Sequence, residues 1–392
     1  MTFREFIFEI HQLNNMKQGD NMSIFKLEAK SGNARAGIVK TPHGEIKTPI
    51  FMPVGTRGTV KTLTPKNLHD DVKAQIILGN TYHLYLRPGH ELIKKAGGLH
   101  SFMNWQKPIL TDSGGFQVMS LSDLRKITPE GVKFQSHIDG SYHFFTPEKV
   151  IEIQNAIGAD IIMSFDECPP FPATKKYVAD SLQTTLKWAK RGKLAHKFPE
   201  KQSLFGIVQG GIYEDLREES AKKLMEMNFP GYSIGGLAVG ENKEDMLRIT
   251  KFLDSILPQN KPRYLMGVGT PQDLLDNIAN GVDMFDCVMP TRNARKGTIF
   301  TRNGKMIIKS ARYKEDFRPI DAECECYACQ NFSRAYIRHL FNVNEFLAMQ
   351  LASIHSLHFY LELVTDARNA ILANNFATFK KSFDGKLDEK MV

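Results

Sequence analysis

Between residues 108 and 287 the chain alternates short apolar runs with amphipathic stretches, and this rhythm constrains its fold more than any other feature. The runs lie within KPILTDSGG, DIIMSFDE, SLFGIVQGG, YSIGGLAVG, RYLMGVG and VDMFDCV. Runs of this kind suit parallel strands covered on both faces. Between them lie helical patterns. In TPEKVIEIQNAIGA, Val150, Ile153 and Ile157 fall at helical spacing, with Thr146 placed to cap, Pro147 in the first turn and Gly158 at the stop. YVADSLQTTLKWAKRGKLA, EDLREESAKKLMEM, KEDMLRITKFLDSIL and TPQDLLDNIANG also read as helices. Polar residues gather where the apolar runs stop: Asp112, Asp166, Gln209, Gly236 and Asp286. A doubly wound sheet collects its ligand at one crevice, whereas a (β/α)8 barrel draws on the C-terminal ends of many strands. Five contributing strands predict an α/β fold of the barrel type. The first ninety residues, punctuated by Pro42, Gly44, Pro49, Pro53 and Gly55, read as a β-rich N-terminal part.

The length of 392 residues accommodates a barrel of about 250 residues with additions. The expected organisation is a leader over residues 1–22 without fixed structure, with Met16 or Met22 as alternative starts, followed by one domain over 23–392. No run reaches the roughly 18 apolar residues needed to span a bilayer, and the N-terminus has acids where a signal peptide needs an apolar core. The expectation is a cytoplasmic protein. The formal net charge is +8, which favours polyanionic partners. The excess is concentrated: residues 291–318 hold nine Lys or Arg against Glu315 and Asp316.

Three of the five cysteines, Cys324, Cys326 and Cys329, lie within CECYAC, and His355 follows after 25 intervening residues in SIHSLHF. Three thiolates and one imidazole make a closed tetrahedral zinc site with no open position, which is structural rather than catalytic. His358 is three residues from His355 on a predicted helix, so spacing leaves either as the fourth ligand. A basic and zinc-binding subdomain is expected over about 291–360.

Acids at barrel strand ends point to glycosyl chemistry. One carboxylate attacks or stabilises the anomeric carbon while a second group moves protons. Asp286 ends an apolar strand, and Asp112 is followed by Ser113, Gly114 and Gly115, which let a substrate approach the backbone. Asp166, Gln209 and the backbone at Gly236 suit the donors and acceptor on a guanine edge, and Phe116 and Met266 suit its two faces. Each alone is more simply a core or loop residue; the convergence gives them weight.

Eight motifs, DSGGFQV, SFDECPP, GIVQGG, GGLAVGE, YLMGVGTP, FDCVMPTRNARKG, CECYACQNFSRAYIRHL and SIHSLHFY, occur in that order. Together they resemble the bacterial tRNA-guanine transglycosylases, also called queuine tRNA-ribosyltransferases, over about residues 24–375. The resemblance implies exchange of guanine at the wobble position of tRNAs with GUN anticodons (Asp, Asn, His, Tyr) for preQ1, the 7-aminomethyl-7-deazaguanine, through a covalent enzyme–RNA intermediate in queuosine biosynthesis. It implies that Asp286 is the nucleophile and Asp112 the proton donor and acceptor. It places Asp112, Ser113, Gly114, Gly115, Phe116, Asp166, Gln209, Gly236, Leu237 and Met266 around the base, with the Leu237 carbonyl near the aminomethyl group and Cys168 and Val239 of the preQ1-using type. It assigns RNA contacts to Gly267, Val268, Gly269, Thr270, Pro271, Gln272 and Asp273, and to Thr291, Arg292, Asn293, Ala294 and Arg295. It selects His355 over His358 to join Cys324, Cys326 and Cys329 on one zinc ion per subunit, and implies a homodimer. Two other readings compete: an RNA-binding subunit without catalysis has no need of Asp112, Asp286 and a full base pocket, and a metal-dependent hydrolase needs its metal ligands at strand ends.

Overall fold

The computed structural model describes residues 23–121, 125–383 and 385–387, so the leader expected over 1–22 lies outside the described residues. Eight short parallel strands form the centre: β1 Ile50–Met52, β2 Ile77–Asn80, β3 Ile109–Asp112, β4 Ile161–Met163, β5 Ser203–Val208, β6 Tyr232–Ile234, β7 Arg263–Leu265 and β8 Met284–Asp286. Hydrogen bonding runs in the order β1-β8-β7-β6-β5-β4-β3-β2. The ring closes where Val54 and Leu78 bridge in parallel and Gly55 N–H donates to the Leu78 carbonyl. This is the expected (β/α)8 barrel. Its strands are almost wholly buried, which explains why they read as apolar runs rather than alternating ones.

The covering helices follow the sequence signals. Thr146 caps Pro147–Ile157 by accepting from the Lys149 N–H, and Gly158 ends it at φ 79°. Lys175–Ala195, Glu214–Glu226, Lys243–Asp254 and Pro271–Ala279 succeed β4, β5, β6 and β7. Between β3 and its helix the chain inserts an antiparallel sheet, Arg125–Thr128, Gly131–Gln135 and Tyr142–Phe145, which the rhythm did not announce.

The β-rich reading of the first ninety residues holds to Met52 and again at β2, Ile77–Asn80, with helices between and after. Phe25–Ser31, Ala34–Thr41 and Gly44–Thr48 form an antiparallel sheet. Beyond it the chain turns helical at Pro65–Asp70 and Thr81–Leu86. Local capping explains the change: Thr64 and Asn67 form a reciprocal capping box, and Asn80 accepts from the His83 N–H. The N-terminal sheet meets the entry ends of the strands, where buried Arg35 pairs with Asp283 at 3.3 Å and Arg263 N–H donates to the same carboxylate at 2.8 Å.

After β8 come a short helix, Met289–Ala294, an antiparallel hairpin of Thr298–Thr301 and Gly304–Ile307, and helices Tyr327–Asn331 and Arg334–Asn342. They pack on a 27-residue helix, Phe346–Leu372, which runs beyond the expected subdomain limit of about 360. That helix is buried on all sides from Leu351 to Leu361, so it serves as a shared core. Its Arg368 donates to the Gly37 and Thr48 carbonyls at 2.9 and 2.7 Å, and its Tyr360 to the Gly269 carbonyl at 2.6 Å. The segment that carries the Cys324, Cys326, Cys329 and His355 cluster is thereby tied to both ends of the barrel. Among the described residues no helix is long and apolar enough to cross a membrane.

Candidate active site

Asp112 and Asp286 end β3 and β8 at the C-terminal mouth. Each keeps some surface open to the mouth while protein encloses it elsewhere. Register places Asn80 of β2 beside Asp112. The Asn80 amide donates to Asp112 Oδ2 at 2.6 Å, and the Thr81 and Gly114 N–H groups donate to Oδ1 at 3.1 and 3.2 Å. Despite these bonds, burial and the facing Asp286 charge push the Asp112 carboxyl up to about 7. Such a group sits near neutrality and can both give and take a proton.

Asp286 is held differently. The Tyr264 hydroxyl donates to its Oδ1 at 2.6 Å, and the Gly267 N–H donates to the same oxygen at 2.8 Å. Oδ2 has no partner among the described residues. Burial raises this carboxyl, and those two hydrogen bonds oppose the rise. One oxygen is anchored and the other is free of hydrogen bonds among the described residues, the arrangement an attacking carboxylate needs. Neither Asn80, Thr81 nor Tyr264 was among the residues expected from sequence. The polar pair Asn80–Thr81 closing the apolar run QIIL is the signal that marks β2 as a further contributing strand.

Beside the two acids lies a buried polar pocket. Asp166, 6% exposed, accepts from the Gln209 amide at 2.8 Å and from the Ser113 hydroxyl at 3.2 Å. Burial pushes its carboxyl up to about 6. The Gln209 Oε1 is buried and has no hydrogen-bond partner, a cost that a ligand donor would relieve. Glycine is required around it: a Cβ on Gly115 would lie 2.8 Å from Asp166 Oδ1, and one on Gly236 2.3 Å from Gln209 Oε1. Leu237 is buried, Met266 is partly buried against the core, and Phe116 is half exposed at the rim. Burial pushes the nearby Cys168 thiol up to about 12, so it is a neutral wall residue.

The two segments expected at RNA are both present at this mouth. Gly267 contacts Asp286, but Thr270 already caps helix Pro271–Ala279 through the Asp273 N–H, and the Asp273 carboxylate pairs with Lys243 at 2.9 Å. Val268 is buried, and the Gln272 amide donates to Asp276. Thr291 to Ala294 form the last turn of the short helix after β8. Thr291 and Ala294 face inward, Asn293 and Arg295 are partly buried, and Arg292 and the following Lys296 are exposed without an ion pair among the described residues.

The cysteine cluster shares no hydrogen bond or ion pair with the two carboxylates among the described residues. Ligand atoms of buried Cys324, Cys326, Cys329 and His355 lie within 4.8 Å of one another, with His355 Nδ1 3.2 and 3.7 Å from the Cys329 and Cys326 Sγ atoms. His355 Nε2–H donates to the Phe300 carbonyl at 3.0 Å. That bond fixes the tautomer and turns the Nδ1 lone pair toward the three sulfurs. His358 instead donates from Nδ1 to the Asp71 carbonyl at 2.9 Å. The donor set therefore fits a tetrahedral metal ion through His355, with no position left for substrate. All five cysteines are free of disulfides.

The barrel and its strand-end carboxylates define the class: a (β/α)8-barrel enzyme whose reactive groups face an open, basic-flanked mouth. Sequence comparison supplies the family. The profile of queuine tRNA-ribosyltransferase matches residues 30–389. The queuine tRNA-ribosyltransferase of a Thermoanaerobacter species is 64% identical over 358 residues, covering 91% of this chain and 95% of the relative. Those of Fusobacterium nucleatum subsp. nucleatum and Staphylococcus aureus are 58% and 57% identical, covering 93% and 90% of this chain and 98% and 93% of the relatives. The chain belongs to the queuine tRNA-ribosyltransferase family of enzymes.

Proposed function

We propose that the enzyme is a tRNA-guanine transglycosylase that replaces guanine by preQ1 at the wobble position of tRNAs with GUN anticodons, within queuosine biosynthesis. The observation that carries this reading is the asymmetry of the two acids: Asp286 has one oxygen anchored and one free, and Asp112 sits near 7. Asp286 Oδ2 attacks the ribose anomeric carbon, and the bond to the guanine nitrogen breaks. Asp112 gives its proton to the departing base. The incoming base then loses a proton to Asp112, and its nitrogen displaces Asp286. Two displacements retain the configuration at the sugar.

Asp166 accepts the base's N–H donors, while the Gly236 N–H and the second Nε2–H of Gln209, whose first donates to Asp166, meet its oxygen. Phe116 and Met266 flank its faces, and the Leu237 carbonyl takes the aminomethyl ammonium. Arg292 and Lys296, exposed beside Asp286, offset its repulsion from RNA phosphates and draw the anticodon loop in. Residues 267–273 contribute mainly the backbone at Gly267. The Cys324, Cys326, Cys329 and His355 set holds zinc, which clamps the subdomain to the barrel. A second copy of the chain covers exposed Phe317, Tyr327, Tyr336 and Phe346 in a homodimer working in the cytoplasm.

Incorporation of labelled guanine into purified tRNAs tests the activity. Label is expected in a GUN-anticodon tRNA and absent from the same tRNA with adenine at the wobble position. Equal labelling of both, or of neither, contradicts the proposal.

A further inference from the structure

Arg217, in helix Glu214–Glu226, is fully buried, yet no carboxylate pairs with it among the described residues. A buried cation without a counter-ion is costly unless its N–H groups are all employed. Here backbone carbonyls employ them. Nε donates to the Gly211 carbonyl at 2.8 Å, and Nη1 donates to the Val208 and Gly235 carbonyls at 2.7 and 2.8 Å. Nη2 lies 3.5 Å from the Gly236 carbonyl. These carbonyls flank the ends of β5 and β6, the two places that carry Gln209 and Gly236. A clasp between loops needs donors but not a charge, so the cation calls for another reason.

Peptide geometry supplies one. The 235–236 peptide is trans, so its C=O and N–H point in opposite directions. With the Gly235 carbonyl drawn to Arg217, the Gly236 N–H is turned away from the guanidinium. That N–H has no partner among the described residues, whereas the Gly235 N–H is already bonded to the Val208 carbonyl at 3.1 Å. A cation on the oxygen of a peptide polarises the group and strengthens its N–H as a donor. On the other side of Leu237, the Glu241 carboxylate takes the Ala238 and Val239 N–H groups. The strand-end loop is thus held by a cation on its carbonyls and an anion on its amides.

We propose that Arg217 is a positioning residue for base recognition, acting through the Gly235–Gly236 peptide to aim and strengthen the Gly236 N–H that meets the 6-oxygen of the base. This rests on the base reading proposed above. Arg217 touches no substrate. It makes one neutral backbone donor behave as a charge-assisted one, in a pocket where a lysine or arginine side chain would crowd the ring.

The test compares guanine with 2-aminopurine, which lacks the 6-oxygen and with it the N1 proton, by equilibrium binding to the full-length zinc-loaded enzyme and to Arg217→Lys and Arg217→Met variants, each base being compared with itself across the variants. Thermal melting checks that each variant is folded, and Arg217→Lys keeps a cation present where the Met variant does not fold. The expected result is a loss of guanine affinity of about tenfold to hundredfold in Arg217→Met, the range for a charge-assisted hydrogen bond, a smaller loss in Arg217→Lys, and 2-aminopurine affinity unchanged within about twofold. Equal losses for both bases would show a loop clasp only and overturn the proposal. A parent enzyme that binds both bases equally would instead overturn the assignment of the 6-oxygen to this pocket.

Discussion

Two aspartates with the same chemistry are set to different tasks by their neighbours. Asp112 is raised to about 7 mainly by burial, while Asp286 is anchored through one oxygen by Tyr264 and Gly267. Replacing Tyr264 by Phe removes a hydrogen bond to a charged group, worth about 1.5–3 kcal/mol. The expectation is a kcat lower by roughly tenfold to a hundredfold, with KM for tRNA little changed; steady-state kinetics checks it, and an unchanged kcat would detach Tyr264 from the chemistry. Asp112 also predicts a pH effect on stability. The folded state holds the Asp112 proton up to about pH 7, whereas the unfolded chain releases it near the ordinary value of 3.8. The folded form therefore binds more protons across that window, and this group's contribution to stability falls as pH rises through it. Melting of Asp112→Asn against the parent should show a difference that shifts in favour of the variant between about pH 4 and 7 and levels off above. A difference constant with pH would mean that Asp112 is not raised. Individual residues were legible in sequence where they end an apolar run, as Asp112, Asp166, Gln209 and Asp286 do. Asn80 carries the same signal but was passed over, whereas Tyr264 and Arg217 were not legible, because their roles depend on strand register and on which face of a helix is buried.

At the scale of elements, the segment with the cysteine cluster and the helix Phe346–Leu372 form one unit with the barrel, since His355, Tyr360 and Arg368 of that helix reach Phe300, Gly269 and Gly37 respectively. Removing the metal with a chelator, or replacing Cys326 by Ser, is expected to lower the melting temperature by several degrees and to weaken tRNA binding through the loosened subdomain. Rapid, reversible loss of activity with no change in melting would point to a catalytic metal instead. The exposed pair after β8 makes a separate prediction. Arg292→Ala or Lys296→Ala should flatten the log–log salt dependence of tRNA binding by about one unit for each phosphate no longer neutralised; an unaltered slope removes that residue from the RNA face. Elements were legible where helices carried caps and the apolar runs were long enough to stand out. β1 was hidden because three residues between Pro49 and Pro53 resemble loop, and the sheet at 125–145 because it interrupts the rhythm instead of continuing it.

For the molecule as a whole, the barrel gathers groups from strands far apart in sequence at one rim, and a basic appendage stands beside that rim. Fold class and family were accessible from sequence because alternation and ordered motifs extend over most of the chain. The distances that separate an attacking oxygen from an anchored one were not. The central claim is that Asp286 bonds to an anticodon ribose. Incubating enzyme with GUN-anticodon tRNA, denaturing, digesting and mapping the crosslinked peptide by mass spectrometry measures this directly. A ribose-bearing adduct is expected on Asp286, discharged by preQ1 and absent in Asp286→Asn; an adduct on another residue, or its persistence in that variant, would contradict a nucleophilic Asp286.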